Sequence, residues 1–166
     1  FHAMDRGRNR STSDDLVTGS LAGSRKDAEI LSAAVRVLFQ LDRGRMPWTS
    51  PDKSEFQMAE ASETIDRHPY IHDAASFVYR HQSSWRGVGM GLAGAFYALF
   101  REKHHAKADA FMTQLALGEN LRAGDPAYAL REYKRSLGPQ HGRNSRQAMS
   151  IAIVRAWNAF VEGRKL

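Results

Sequence analysis

The chain has 166 residues, enough for about one domain with a real core. Hydrophobic residues make up 42% and charged residues 25%, the balance of an ordinary folded protein rather than a disordered one. Cysteine is absent, which excludes disulfides, thiolate metal sites and a cysteine nucleophile.

Net charge is +6 and uneven. Residues 1–83 carry 11 Lys and Arg against 12 Asp and Glu; residues 84–166 carry 13 against 6. The basic excess therefore belongs to the second half. That asymmetry fits an acidic partner such as nucleic acid, and equally a solvated basic face. No apolar run approaches the roughly 20 residues of a membrane span, so no membrane partner is expected. The chain opens at Phe1 and reads as a fragment, which leaves an upstream signal or domain open.

Residues 1–12 lack apolar periodicity and alternate Arg6, Arg8 and Arg10 around Gly7. They read as a basic arm or linker, followed by a helical domain over 13–166. Ser11, Thr12 or Ser13 caps a short helix that stops at Gly19. Ser24 caps an amphipathic helix to about Arg43, with Ile30, Leu31, Ala34, Val35 and Leu38 on its apolar face and Gly44 beyond its end. Ser50 and Pro51 predict the start of a poorer surface helix running to about Arg67.

Pro69 opens a helix to about His81 that points Ile71, Ala74, Ala75, Phe77 and Val78 inward. The next runs from about Val88 to His104, kinks, and continues from Ala106 to Leu117, ended by Gly118. Asp125 and Pro126 start a helix to Leu137. Ser145 caps the last helix, which ends before Gly163. That helix is apolar almost all round, so it is expected to run through the centre of the core. No period-two strand and no constant repeat is present. The class expected is all-α, one globular domain of about six or seven helices.

Gly89, Gly91 and Gly94 spell G-x-G-x-x-G. In a dinucleotide site that motif follows a strand. Here the surrounding pattern is helical, and the alternative is close helix packing through small residues. His68 with His72, and His104 with His105 and Asp109, are spaced like metal ligands. Pro69 breaks the first pair's helix face and the kink breaks the second, so neither is taken as a metal site. Acids such as Asp14, Asp15, Asp52 and Glu132 fall in helix first turns or on polar faces. No catalytic residue, cofactor or metal ligand is assigned, and an enzyme is the least favoured reading.

The basic set is the remaining signal. Arg131, Lys134 and Arg135 are spaced i, i+3, i+4 and share a helix face. Arg143 and Arg146 flank the start of the last helix, where anions are favoured. Together they can hold consecutive phosphates, with Arg6, Arg8 and Arg10 as an accessory arm.

A family likeness runs through D-R-G-R-N-R-S at Asp5–Ser11, H-P at His68–Pro69, L-x-x-G-E-N-L-x-x-G-D-P-x-x-A-L-R at Leu115–Arg131, and A-W-N-A-F-x-x-G at Ala156–Gly163. These stretches resemble phage and bacterial proteins of the ParB/sulfiredoxin-like, DGQHR-motif type. The resemblance implies a helical C-terminal module of a DNA-related phage protein, acting in the cytoplasm of a bacterial host. The family's ParB-like portion would lie upstream, so no chemistry transfers to a residue here. The expectation is a non-enzymatic module that binds nucleic acid, DNA before RNA, through phosphate contacts. The alternative is a protein-interaction or oligomerisation module, anchored on aromatics such as Trp48, Tyr70 and Trp85 if these cluster at the surface.

Overall fold

The computed structural model describes residues 25–137 and 143–166. The basic arm with Arg6, Arg8 and Arg10, and the short helix expected after it, lie outside the described residues. So does the side chain of Arg143. The class is all-α: among the described residues there are seven α-helices, one short 3-10 helix and no strand. The α-helices are α1 (Arg25–Asp42), α2 (Met58–Arg67), α3 (Ile71–Arg80), α4 (Met90–Lys103), α5 (His105–Leu117), α6 (Pro126–Leu137) and α7 (Arg143–Glu162). The 3-10 turn, Gln82–Trp85, bridges α3 and α4.

Glycine ends three of these helices, where the chain leaves the last turn through a left-handed residue that a Cβ would strain. Gly44, Gly118 and Gly163 all have positive φ, at 75°, 70° and 70°. His104 separates α4 from α5 with extended backbone, and its side chain accepts the Lys107 N–H at the start of α5.

The helix expected from Pro51 begins seven residues later, at Met58. Residues before it are drawn into a different structure. Glu55 takes both guanidinium nitrogens of Arg45, at 2.6 and 2.9 Å. The N–H groups of Glu55 and Phe56 both donate to the Asp52 carbonyl at 3.1 Å, closing one turn. Phe56 is thereby buried against Phe39, with ring centroids 4.9 Å apart. The helix then starts afresh with a reciprocal cap between Gln57 and Glu60.

The centre of the molecule is α4, which packs on α1, α3 and α5. Ala93, Ala95, Ala98, Phe96 and Phe100 are all buried. Gly91 and Gly94 face α1, where a Cβ on Gly91 would stand 2.6 Å from the Ala33 Cβ and one on Gly94 would stand 3.4 Å from the Ala34 Cβ. Gly91 and Gly94 therefore serve helix-on-helix approach, while Gly89 precedes α4 with φ 95°; no strand occurs among the described residues.

The C-terminal helix α7 is less central than its composition predicts. It buries Met149, Ile153, Ala156 and Trp157 against α5 and α6, but Ile151 is 49% exposed. Its apolar residues exceed what the core covers. With α6 it forms a helical hairpin that packs on α5, and its Trp157 stacks on Phe100 of α4.

Candidate functional site

The basic residues of α6 are divided between interior and surface. Arg131 Nη1 donates to the Leu115 carbonyl, and its guanidinium fills the space where a Cβ on Gly118 would sit. Lys134 Nζ donates to the Ser84 carbonyl, with its stem beside Gly87. Both cations thus cap carbonyl-rich helix ends, those of α5 and the 3-10 turn, where positive charge is favoured. Burial pushes the Lys134 ammonium below its usual range, and neighbouring Arg131 and Arg135 push it further. Arg135 faces outward and pairs with Glu132 at 2.7 Å. Arg146 is exposed on the first turns of α7. The shared spacing of Arg131, Lys134 and Arg135 does not give them a shared environment.

The same hairpin carries a feature that the basic pattern did not reveal. An apolar groove of about 300 Å³ runs between α6 and α7. Alanines at 129, 148 and 152 keep its floor low, while Tyr133, Ile151 and Leu166 rise along it at 37%, 49% and 45% exposure. Leu166 is held there by its N–H, which donates to the Gly124 carbonyl at 2.8 Å. Arg155 lines the groove, is exposed, and has no carboxylate partner among the described residues. The stretch 126–166 holds eight Lys and Arg against Glu132 and Glu162. The readable signal was Ile151, a large apolar residue amid Gln147, Arg155 and Asn158 on α7's outer face.

The histidines do other work. His68 is buried and bonds Glu102 through Nδ1 at 2.7 Å and Asp42 through Nε2 at 2.9 Å. His105 sits 3.5 Å from Asp109. Asp109 also receives Tyr97 Oη at 2.6 Å and Arg101 Nε at 2.8 Å. The Arg101 guanidinium holds the Asp109 carboxyl below the usual carboxylate range, while burial raises the Tyr97 phenol. These bonds tie α4 to α5 and, through His68, join the ends of α1, α2 and α4. Among the described residues no three His, Asp or Glu side chains converge to hold a metal ion. Of the aromatic anchors considered, Trp85 is 2% exposed and belongs to the core. No helix among the described residues is long and apolar enough to cross a membrane.

No family model matches the chain, and no curated protein or solved structure matches it.

Proposed function

We propose that the α6–α7 hairpin is a protein-interaction module whose groove receives an acidic amphipathic helix of a partner protein. The observation that carries this reading is an exposed apolar groove set in the most basic stretch of the chain. A helix laid in a groove anchors through apolar residues at i, i+3 or i+4 and i+7. Tyr133, Ile151 and Leu166 supply apolar contacts for such anchors, and Arg155 supplies an unpaired cation for a flanking carboxylate. Charge around the groove speeds encounter and selects the sign of the partner.

Nucleic-acid binding through phosphates draws support from the same charge, with Arg135 and Arg146 facing outward. It gives the apolar floor nothing to do, and two of its cations are spent on carbonyls. It is therefore the competing outcome of the test.

The probe is a labelled synthetic amphipathic helix with leucines on one face and glutamates on the other. Its controls are the same helix with lysines and a labelled DNA duplex. Binding of the acidic helix, weakened about tenfold or more by either Ile151→Ser or Arg155→Glu, is expected. Duplex binding that ignores Ile151→Ser while the peptide stays unbound overturns the reading in favour of phosphate contacts. Absence of binding to the acidic helix and the duplex alike overturns it outright.

A further inference from the structure

Gly163 ends α7 with φ 70° and turns the chain back across the hairpin. The Arg164 N–H donates to the Ala159 carbonyl and the Leu166 N–H to the Gly124 carbonyl, each at 2.8 Å. Lys165 lies over Gly124, where a Cβ would stand 3.3 Å from the lysine Cδ, and its ammonium pairs with Asp125 at 3.3 Å. Residues 163–166 are therefore a strap from the end of α7 to the start of α6. We propose that this strap is an end wall of the α6–α7 groove, so that the surface selects a partner helix that stops at Leu166 and rejects one that runs on past it. The wall has meaning only if the groove seats an acidic amphipathic helix, the reading on which it rests.

Placement, length and exposure agree. The groove floor is laid by Ala129 of α6 and by Ala148, Ala152 and Ala156 of α7. On α7 it runs from Ala148 to Ala156, about 12 Å of helix axis, a little over two turns. Two turns are what anchors at i, i+3 or i+4 and i+7 occupy. Among the described lining residues, Leu166 alone belongs to neither helix. It is 45% exposed, so it stands above the alanines instead of being sunk among them. A bound helix about 10 Å across is as wide as the spacing of two packed helices, so it cannot pass Leu166 on either side without leaving the floor. Running on would break the Leu166–Gly124 bond and the Lys165–Asp125 pair. Selectivity of this kind comes from a clash with the wrong partner rather than a new contact with the right one.

The probes are a lactam-stapled acidic amphipathic helix of about ten residues and the same helix extended by about two turns at its N-terminus or its C-terminus. Each is titrated against the full chain. The extension that faces the strap should weaken binding about tenfold or more, and the other by no more than about twofold. A spin label on the penalised end of the unextended helix should broaden the Leu166 methyl resonances, and a label on the opposite end should not. In the Lys165→Gly, Leu166→Gly variant, checked for folding by its thermal melt, the two extended helices should bind within about twofold of each other. Extensions that bind the wild type equally overturn the end wall. So does a penalty that survives in the folded variant, or broadening from the wrong end. Tighter binding of the unextended helix by the variant would also overturn it, since the strap would then fill the floor rather than bound it. The wild-type titration and the labels decide the matter even if the variant fails to fold. An unextended helix that does not bind removes the groove reading and the wall together, whereas equal extensions of a helix that does bind remove the wall alone.

Discussion

His68 and Glu102 lie 34 residues apart in sequence and share a 2.7 Å hydrogen bond at the ends of α2 and α4. The opposite nitrogen of the same ring faces Asp42 at the end of α1, at 2.9 Å. One buried ring thus joins three helix ends through two carboxylates. Arg67 adds a further bond to Asp42 from the exposed side, at 3.2 Å. Removing the ring takes a partner from both carboxylates, and among the described residues only Asp42 keeps another, in Arg67. His68→Leu is expected to cost about 1–3 kcal/mol in urea unfolding, the range for losing a buried hydrogen-bonding partner. The Asp42→Asn, His68→Leu double variant should lose less than the sum of the two single losses. Strict additivity would show that the two residues are not coupled.

Gly91 sets the distance between α1 and α4. A Cβ there would lie 2.6 Å from the Ala33 Cβ and 3.1 Å from its carbonyl carbon. Backbone on one side cannot swing away as a flexible side chain can. Gly91→Ala should therefore destabilise by about 1–3 kcal/mol despite alanine's better helix propensity. Gly94→Ala, whose Cβ meets Ala34 at 3.4 Å, should be near neutral. Ala33→Gly should restore part of the Gly91→Ala loss. Equal effects at 91 and 94 would show that the interhelix contact is not limiting.

These positions also show what a sequence can and cannot convey. Gly44, Gly118 and Gly163 mark helix ends through a local requirement for positive φ, and local requirements are readable. The close packing of Gly91 was readable for a similar reason: the glycine triplet lay in helical pattern, with no strand before it. The late start of α2 was not, because Ser50 and Pro51 satisfy every local rule for a helix start. What prevents it is Arg45, ten residues upstream, claiming Glu55. The same holds for the basic residues. Spacing puts Arg131 and Lys134 on one face of α6, but what that face meets depends on Leu115 and on Ser84, which is 50 residues from Lys134. The groove was half readable: Ile151 was visible as apolar, yet a nearly all-apolar helix argued for burial all round.

The Arg45–Glu55 fork gives the loop before α2 a pH dependence. Arg45 holds the Glu55 carboxyl down to about 2, helped by the Asp52 N–H. A carboxylate whose folded value is depressed contributes stability above its unfolded value, and that contribution fades as the pH falls through the folded one. The fork should thus be intact above about pH 4.5 and open progressively toward pH 2. Carbon-detected NMR of the Glu55 carboxyl should show a midpoint well below the ordinary glutamate range. In Glu55→Gln the acid-induced loosening of amides in the 45–56 loop should already be present at neutral pH. A midpoint in the ordinary glutamate range would mean the fork does not persist in solution.

Trp157 and Ile151 occupy opposite faces of α7, and they separate stability from recognition. Trp157 stacks on Phe100 with ring centroids 4.4 Å apart and planes 8° from parallel, and meets the edge of Phe111 at 5.7 Å. It fastens the hairpin to α4 and α5. Trp157→Ala should cost about 3–5 kcal/mol, the range for removing a large buried aromatic. Ile151 already sits half in solvent, so Ile151→Ser should change stability by no more than about 0.5 kcal/mol. If α7 serves only to close the core, that second substitution has no consequence at all. If the groove is a recognition surface, Ile151→Ser abolishes partner binding in a protein that melts like the wild type. Thermal melts and binding measured on the same pair of variants distinguish these cases. An Ile151→Ser protein that is markedly destabilised would show that the exposed face of α7 is held by the fold rather than kept free for a partner.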